Sequence, residues 1–123
     1  MKYITVALVA LFPLILSAQT YTNEVATIIN DNCVVCHRSG GIGPMSFETY
    51  EQVRPWAPLI SLKVMKREMP PYAYDHGIGI QDLQGDWRLS QKDIDTVVEW
   101  VDTGARYGDP DIVVQPLNLG DPE

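Results

Sequence analysis

Asn32-Cys33-Val34-Val35-Cys36-His37 is the stretch on which the reading of the whole chain turns. Cys33 and Cys36 are the only two cysteines in 123 residues. A disulfide between them would close a tiny loop, which restrains little chain entropy and accounts for neither the adjacent histidine nor the helical pattern before it. Upstream, Val25, Ile28 and Ile29 recur at helical spacing, with Tyr21 four residues before Val25. That spacing predicts a helix over residues 22–32, with Thr22 or Asn23 as its cap. Two thiols one helical turn apart, with an imidazole beside the second, therefore follow directly on a helix.

Downstream of the motif the pattern stays helical and no convincing strand emerges. After a glycine-rich stretch over residues 40–44, residues 46–53 form a short helix candidate, interrupted before Pro55. The next helix is expected to start near Pro58 and run through Leu59, Leu62, Met65 and Glu68 until Pro70-Pro71 stops it. Residues 70–89 are rich in Gly, Asp and Tyr and show no period. Ser90-Gln91-Lys92-Asp93 then resembles a capping box with Asp in place of Glu. The helix it opens carries an apolar stripe of Ile94, Val97, Val98 and Val101, with Trp100 beside it and Gly104 as a natural stop. Residues 109–123 read as an extended tail or linker. The chain contains no internal repeat, and the fold class is all-α.

Composition bounds the function. The sequence is 46% apolar and 20% charged, near the globular average, with a formal net charge of −7. Acidity argues against a nucleic-acid binder, which needs clustered Lys and Arg. Lys2 precedes the apolar run Ile4 to Leu16, which ends at Ser17-Ala18-Gln19 and reads as a secretory signal peptide over residues 1–18. The run holds Pro13 and falls short of the roughly 20 residues a membrane span needs, so no stable span is expected after cleavage. The mature chain would be exported, periplasmic or secreted, with 8 basic and 16 acidic residues and a net charge of −8. Its 105 residues are few for an unaided core, and something other than a disulfide has to help.

Cys33-Val34-Val35-Cys36-His37 is the attachment pattern for c-type haem. Two thiols on one turn can add to the two vinyl groups of the macrocycle, and the adjacent imidazole can then ligate iron. The porphyrin would also supply the missing apolar core. A thioredoxin-like C-x-x-C needs a βαβ context that is lacking here, and a zinc site needs a fourth ligand that only His76 or a carboxylate could provide.

Over Tyr21 to about Tyr107 the chain resembles a class I cytochrome c domain, most closely the bacterial domains with a Met-Pro-Pro loop, some of them fused to secreted oxidoreductases. The resemblance is carried by Cys33-Val34-Val35-Cys36-His37, Gly43-Pro44, Met69-Pro70-Pro71, Leu89-Ser90, Glu99-Trp100-Val101 and Gly104-Ala105, in that order. It implies a small helical fold over residues 19–108 wrapped around one covalently bound haem c, with Cys33 and Cys36 as thioether anchors and His37 as proximal ligand. It also implies that the Pro44 carbonyl accepts a hydrogen bond from the His37 ring.

Candidates for the sixth ligand are Met45, Met65, Met69 and His76. Met69 is favoured because Pro70 biases it toward an extended shape and the intervening helix is long enough to pass from one haem face to the other. His76, in a glycine-rich loop, is the weaker alternative. Arg54, Arg88 and Trp87 are weak candidates for contacts to haem propionates. The helix before Cys33 is expected to pack across residues 91–103. The function expected is one-electron transfer between redox partners, with an acidic surface docking on a basic patch and without catalysis by this chain. The alternatives are a haem-bearing domain of a larger secreted oxidoreductase and a five-coordinate haem sensor or peroxidase-like protein.

Overall fold

The computed structural model describes residues 18–72 and 86–115. The signal-peptide reading, His76 and the end of the tail beyond residue 115 lie outside the described residues. Those residues hold four α-helices and no strand: α1 (Ala26–Asn32), α2 (Tyr50–Val53), α3 (Ala57–Met65) and α4 (Gln91–Asp102). A wide turn, Tyr21–Val25, leads into α1, and a tight turn, Arg54–Trp56, joins α2 to α3.

Local chemistry sets most of the helix ends. Ser90 caps α4: its hydroxyl accepts from the Asp93 N–H at 3.1 Å, and the Asp93 carboxylate accepts from the Ser90 N–H at 3.3 Å. At the other end Gly104 takes φ +102°, and the Ala105 and Gly104 N–H groups donate to the carbonyls of Trp100 and Val101. This closes the last turn with the pair of bonds that a left-handed residue permits. The second helix starts at Tyr50, four residues later than expected, because Thr49 and Gln52 form a reciprocal capping box of their own. Helix α3 ends at Met65, ahead of Pro70-Pro71. Arg67 takes φ 55°, and the Arg67 and Glu68 N–H groups fold back onto the carbonyls of Val64 and Lys63.

The start of the chain departs from its expected cap. Thr22 does not cap α1; its hydroxyl accepts from the Asp109 N–H at 3.1 Å. Beside it, the Tyr21 and Thr22 N–H groups donate to the carbonyls of Arg106 and Tyr107. The chain entering α1 is thus stitched to the chain leaving α4. Residues 109–115 continue back along α1, where the Asn30 side-chain amide donates to the Gln115 carbonyl and Val114 packs on the core.

Helix α4 is the centre of the core. Ile94, Val97 and Trp100 are buried, with Val98 and Val101 only partly so. The buried stripe is therefore turned toward Trp100, which sequence placed beside it. Packed on α4 are α3, through residues such as Ile60 and Val64, and the Tyr21–Val25 turn. The expected crossing of α4 is thus made through the turn that precedes α1. Tyr21, Tyr50, Trp100 and Tyr107 form an aromatic cluster with centroid separations of 5.1–6.3 Å. Tyr50 donates to the Ala105 carbonyl and the Trp100 indole to the Arg106 carbonyl, both at 2.9 Å.

The Tyr21 hydroxyl is buried without a hydrogen-bond partner among the described residues. Burial, with Glu51 and then Tyr107 and Cys33 nearby, pushes its ionisation up from 10 to about 12. The folded chain therefore keeps a proton that the unfolded chain releases above pH 10, so stability falls as pH rises from 10 toward 12. Tyr21→Phe is expected to be neutral or stabilising by about 1 kcal/mol at pH 7, since it removes an unsatisfied buried hydroxyl. It should also remove an alkaline loss on the order of 2 kcal/mol. Urea unfolding at pH 7 and pH 11 checks both outcomes; a variant less stable at pH 7 with an unchanged alkaline slope would contradict them.

Candidate cofactor site

The Cys33–His37 segment continues α1 as a series of tight turns. The Cys33 and Val34 N–H groups donate to the Ile29 carbonyl, and those of Cys36 and His37 to the Cys33 carbonyl. Val34 points into the core, while Cys33, Val35, Cys36 and His37 line a cleft. Both cysteines stand as free thiols. Burial, and to a lesser extent Cys36, pushes the Cys33 thiol up to about 12, so it is a neutral thiol at pH 7. A thioredoxin-like pair depends on the opposite shift.

The loop after the motif is folded around His37. The Gly43 N–H donates to the Cys36 carbonyl and the Phe47 N–H to the His37 carbonyl, both at 2.8 Å. This brings the Met45 carbonyl to 3.0 Å from His37 Nδ1. A carbonyl only accepts, so Nδ1 carries a proton, and in the neutral ring the lone pair is on Nε2, free to bind a metal. The expectation for Pro44 is corrected here by one residue: the Phe47 bond draws the Met45 carbonyl onto the ring, and Pro44 instead lines the cleft. Phe47 stacks on the imidazole with centroids 4.6 Å apart and planes 20° apart. Gly43 approaches the ring so closely that a Cβ there would lie 2.6 Å from Nδ1.

Further lining comes from Trp56, Leu59, Ile60, Lys63 and Val64, from Met69-Pro70-Pro71 and from Trp87. The cleft encloses about 310 Å³, within the range of small-molecule and cofactor pockets. Val35, Ile42, Trp56, Leu59, Met69 and Trp87 all line it, and they are six of the ten large apolar side chains left exposed among the described residues; Ile42 is 92% exposed. A concentration of exposed apolar surface in one cleft marks a binding site, whereas scattered exposed residues would need no explanation.

Of the candidate sixth ligands, Met69 and Met45 line the cleft, Met65 does not, and His76 lies outside the described residues. Neither arginine expected near propionates lines the cleft. Arg54 donates to the Gly104 carbonyl, while Arg88 is paired with Asp86 and lies over Tyr72. Trp87 does line it, with its indole N–H given to the Pro71 carbonyl. Among the described residues the cation lining the cleft is Lys63, a residue that no sequence motif singles out. It is paired with Glu68, whose carboxyl it holds below the usual range. Its signal was its place one helical turn after Leu59 and Ile60.

The donors gathered at the cleft are ones that a covalently tethered haem could use. Among the described residues no three His, Cys, Asp or Glu side chains converge to hold a metal ion. An imidazole with its metal-binding lone pair on Nε2, a thioether and two thiols around an apolar slot are what a covalently tethered porphyrin needs. No protein-family model, curated protein or solved structure matches the chain.

Gly43→Ala places a methyl against the His37 ring and is expected to cost about 1–3 kcal/mol through forced displacement. The His37 side-chain NMR signals should move with it. Ile42→Ala, next to it but exposed, should stay within about 0.5 kcal/mol of wild type. Equal stability of the two variants with unmoved His37 signals would show that Gly43 does not hold the ring in place.

Proposed function

We propose that this chain is an exported monohaem c-type cytochrome of the class I kind, carrying single electrons between redox proteins. One observation carries the reading: the Cys33-x-x-Cys36-His37 turn opens on an apolar cleft that Met69 also lines. When bound, haem c supplies a one-electron iron couple. Cys33 and Cys36 would hold it, each thiol adding its S–H across a vinyl double bond to leave a thioether, with no oxidant required. His37 would take the iron through Nε2. The Met45 carbonyl on Nδ1 raises the basicity of that nitrogen and fixes the ring's orientation.

Met69 would also hold the iron, and a thioether donor together with the His37 imidazole would raise the reduction potential. A haem held by both His37 and Met69 would leave the iron no open position, which suits a carrier. With haem in the cleft, its apolar walls would keep water from the ligands. The acidic chain, at a net −7 over all residues, suits a redox partner with a basic docking patch and does not suit nucleic acid. Export rests on the reading of residues 1–18. Among the described residues no helix is long and apolar enough to cross a membrane.

Expression with c-type cytochrome maturation machinery should yield a protein whose mass includes one haem that survives denaturation. Cys33→Ser and Cys36→Ser should each leave a single thioether, and Met69→Ala should lose the methionine-to-iron charge-transfer band. Absence of covalent haem would overturn the reading, and carbon monoxide binding by the wild-type ferrous protein as fast as by Met69→Ala would move it to an open-site haem protein. Electron transfer with a basic partner is expected to slow severalfold as ionic strength rises; a salt-independent rate would remove the docking proposal.

A further inference from the structure

Met69 stands between two anchored neighbours. Two positions before it, Arg67 reaches across to the chain leading into α4: Nη1 donates to the Leu89 carbonyl at 3.3 Å and Nη2 to Gln91 Oε1 at 2.8 Å. Two positions after it, the Pro71 carbonyl accepts from the Trp87 indole N–H at 3.0 Å. Next to that bond, the Tyr72 ring meets Trp87 edge-on at 5.9 Å and lies 4.5 Å beneath the Arg88 guanidinium. Both flanks of Met69 are thus tied to one segment, residues 86–91, which the Ser90 capping box anchors in turn to α4.

A methionine side chain is long and adaptable, so it does not place its own sulfur. The backbone that carries it has to be held, and ordinary helix geometry no longer holds it here. Helix α3 ends at Met65, and the Met69 N–H makes only a long bond, 3.4 Å, to the Lys63 carbonyl. From this we infer that Arg67 and Trp87 are positioning residues that keep Met69 on the proposed haem iron, so that residues 86–91 act as a clip closing the sixth coordination position. The inference rests on the haem reading above. It assigns Trp87 a role through its N–H as well as through its ring, and gives Arg67 a role that no motif in the sequence suggests.

The test uses the haem-loaded full chain in five forms: wild type, Met69→Ala, Trp87→Phe, Arg67→Met and the Trp87→Phe/Arg67→Met double variant. Trp87→Phe keeps an apolar ring while removing the donor, and Arg67→Met keeps an apolar stem while removing both donors. Carbon monoxide binding to the ferrous protein and the methionine-to-iron band are read together with the melting temperature. Each clip variant is expected to bind carbon monoxide at least tenfold faster than wild type and to show a weakened band, with the double variant approaching Met69→Ala. A clip that merely braced the fold would lower the melting temperature and leave the carbon monoxide rate within twofold of wild type; that result, with Met69→Ala open, overturns the clip alone. An unchanged spectrum in Met69→Ala would overturn the ligand assignment and the clip with it. If Trp87→Phe fails to accumulate, Arg67→Met decides the outcome by the same two readouts.

Discussion

The hydrogen bond from His37 Nδ1 to the Met45 carbonyl is the constraint around which this end of the molecule is arranged. It requires the loop after the C-x-x-C-H turn to double back within eight residues, which the Gly43 and Phe47 backbone bonds accomplish. Nothing larger than glycine fits at position 43, because the backbone passes against the imidazole. Phe47, buried and stacked on the ring, adds a further restraint on its plane. The imidazole is therefore oriented and its proton placed by the polypeptide alone. A preorganised ligand of this kind is what a metal-binding histidine requires of its surroundings.

The rest of the fold builds a wall opposite that ring. Helix α3 supplies Leu59, Ile60 and Val64 to the cleft, and it is held by packing on α4 around Ile94, Val97 and Trp100. The aromatic cluster of Tyr21, Tyr50, Trp100 and Tyr107 closes the core, with the segment before α1 stitched to the segment after α4. The described chain still leaves Ile42, Trp56, Leu59 and Trp87 exposed around one slot. Such an arrangement is costly in water and becomes favourable when an apolar plate covers it, which is the physical sense in which the proposed haem completes the core.

Where the determining contacts are local, they were legible in the sequence. The Ser90 to Asp93 box, the stop at Gly104 and the turn that presents Cys33, Cys36 and His37 all involve partners within a few residues. The second capping box, Thr49 with Gln52, is equally local, and it starts the helix at Tyr50, four residues after the start expected at residue 46. Arg67 gave no warning, because a left-handed helix stop is usually announced by glycine. The Trp100 ring displaced the simple aliphatic stripe as the centre of α4, since its indole could satisfy its donor on the Arg106 carbonyl while buried.

By itself the sequence determined the helical class, the ends of α4 and the clustering of two thiols with an imidazole on one turn. These follow from hydrogen bonds and periodicities that close within about five residues, where the chain's own geometry allows few alternatives. Only the tertiary structure decided that Met45 and not Pro44 faces the His37 ring, that Met65 is outside the cleft while Met69 is in it, and that Lys63 lies at its edge. It alone paired Thr22 with Asp109 and Trp87 with Pro71, contacts spanning 87 and 16 residues. Contacts of that reach depend on how the helices stack, and stacking is settled by the burial of whole faces, which no short stretch of residues encodes.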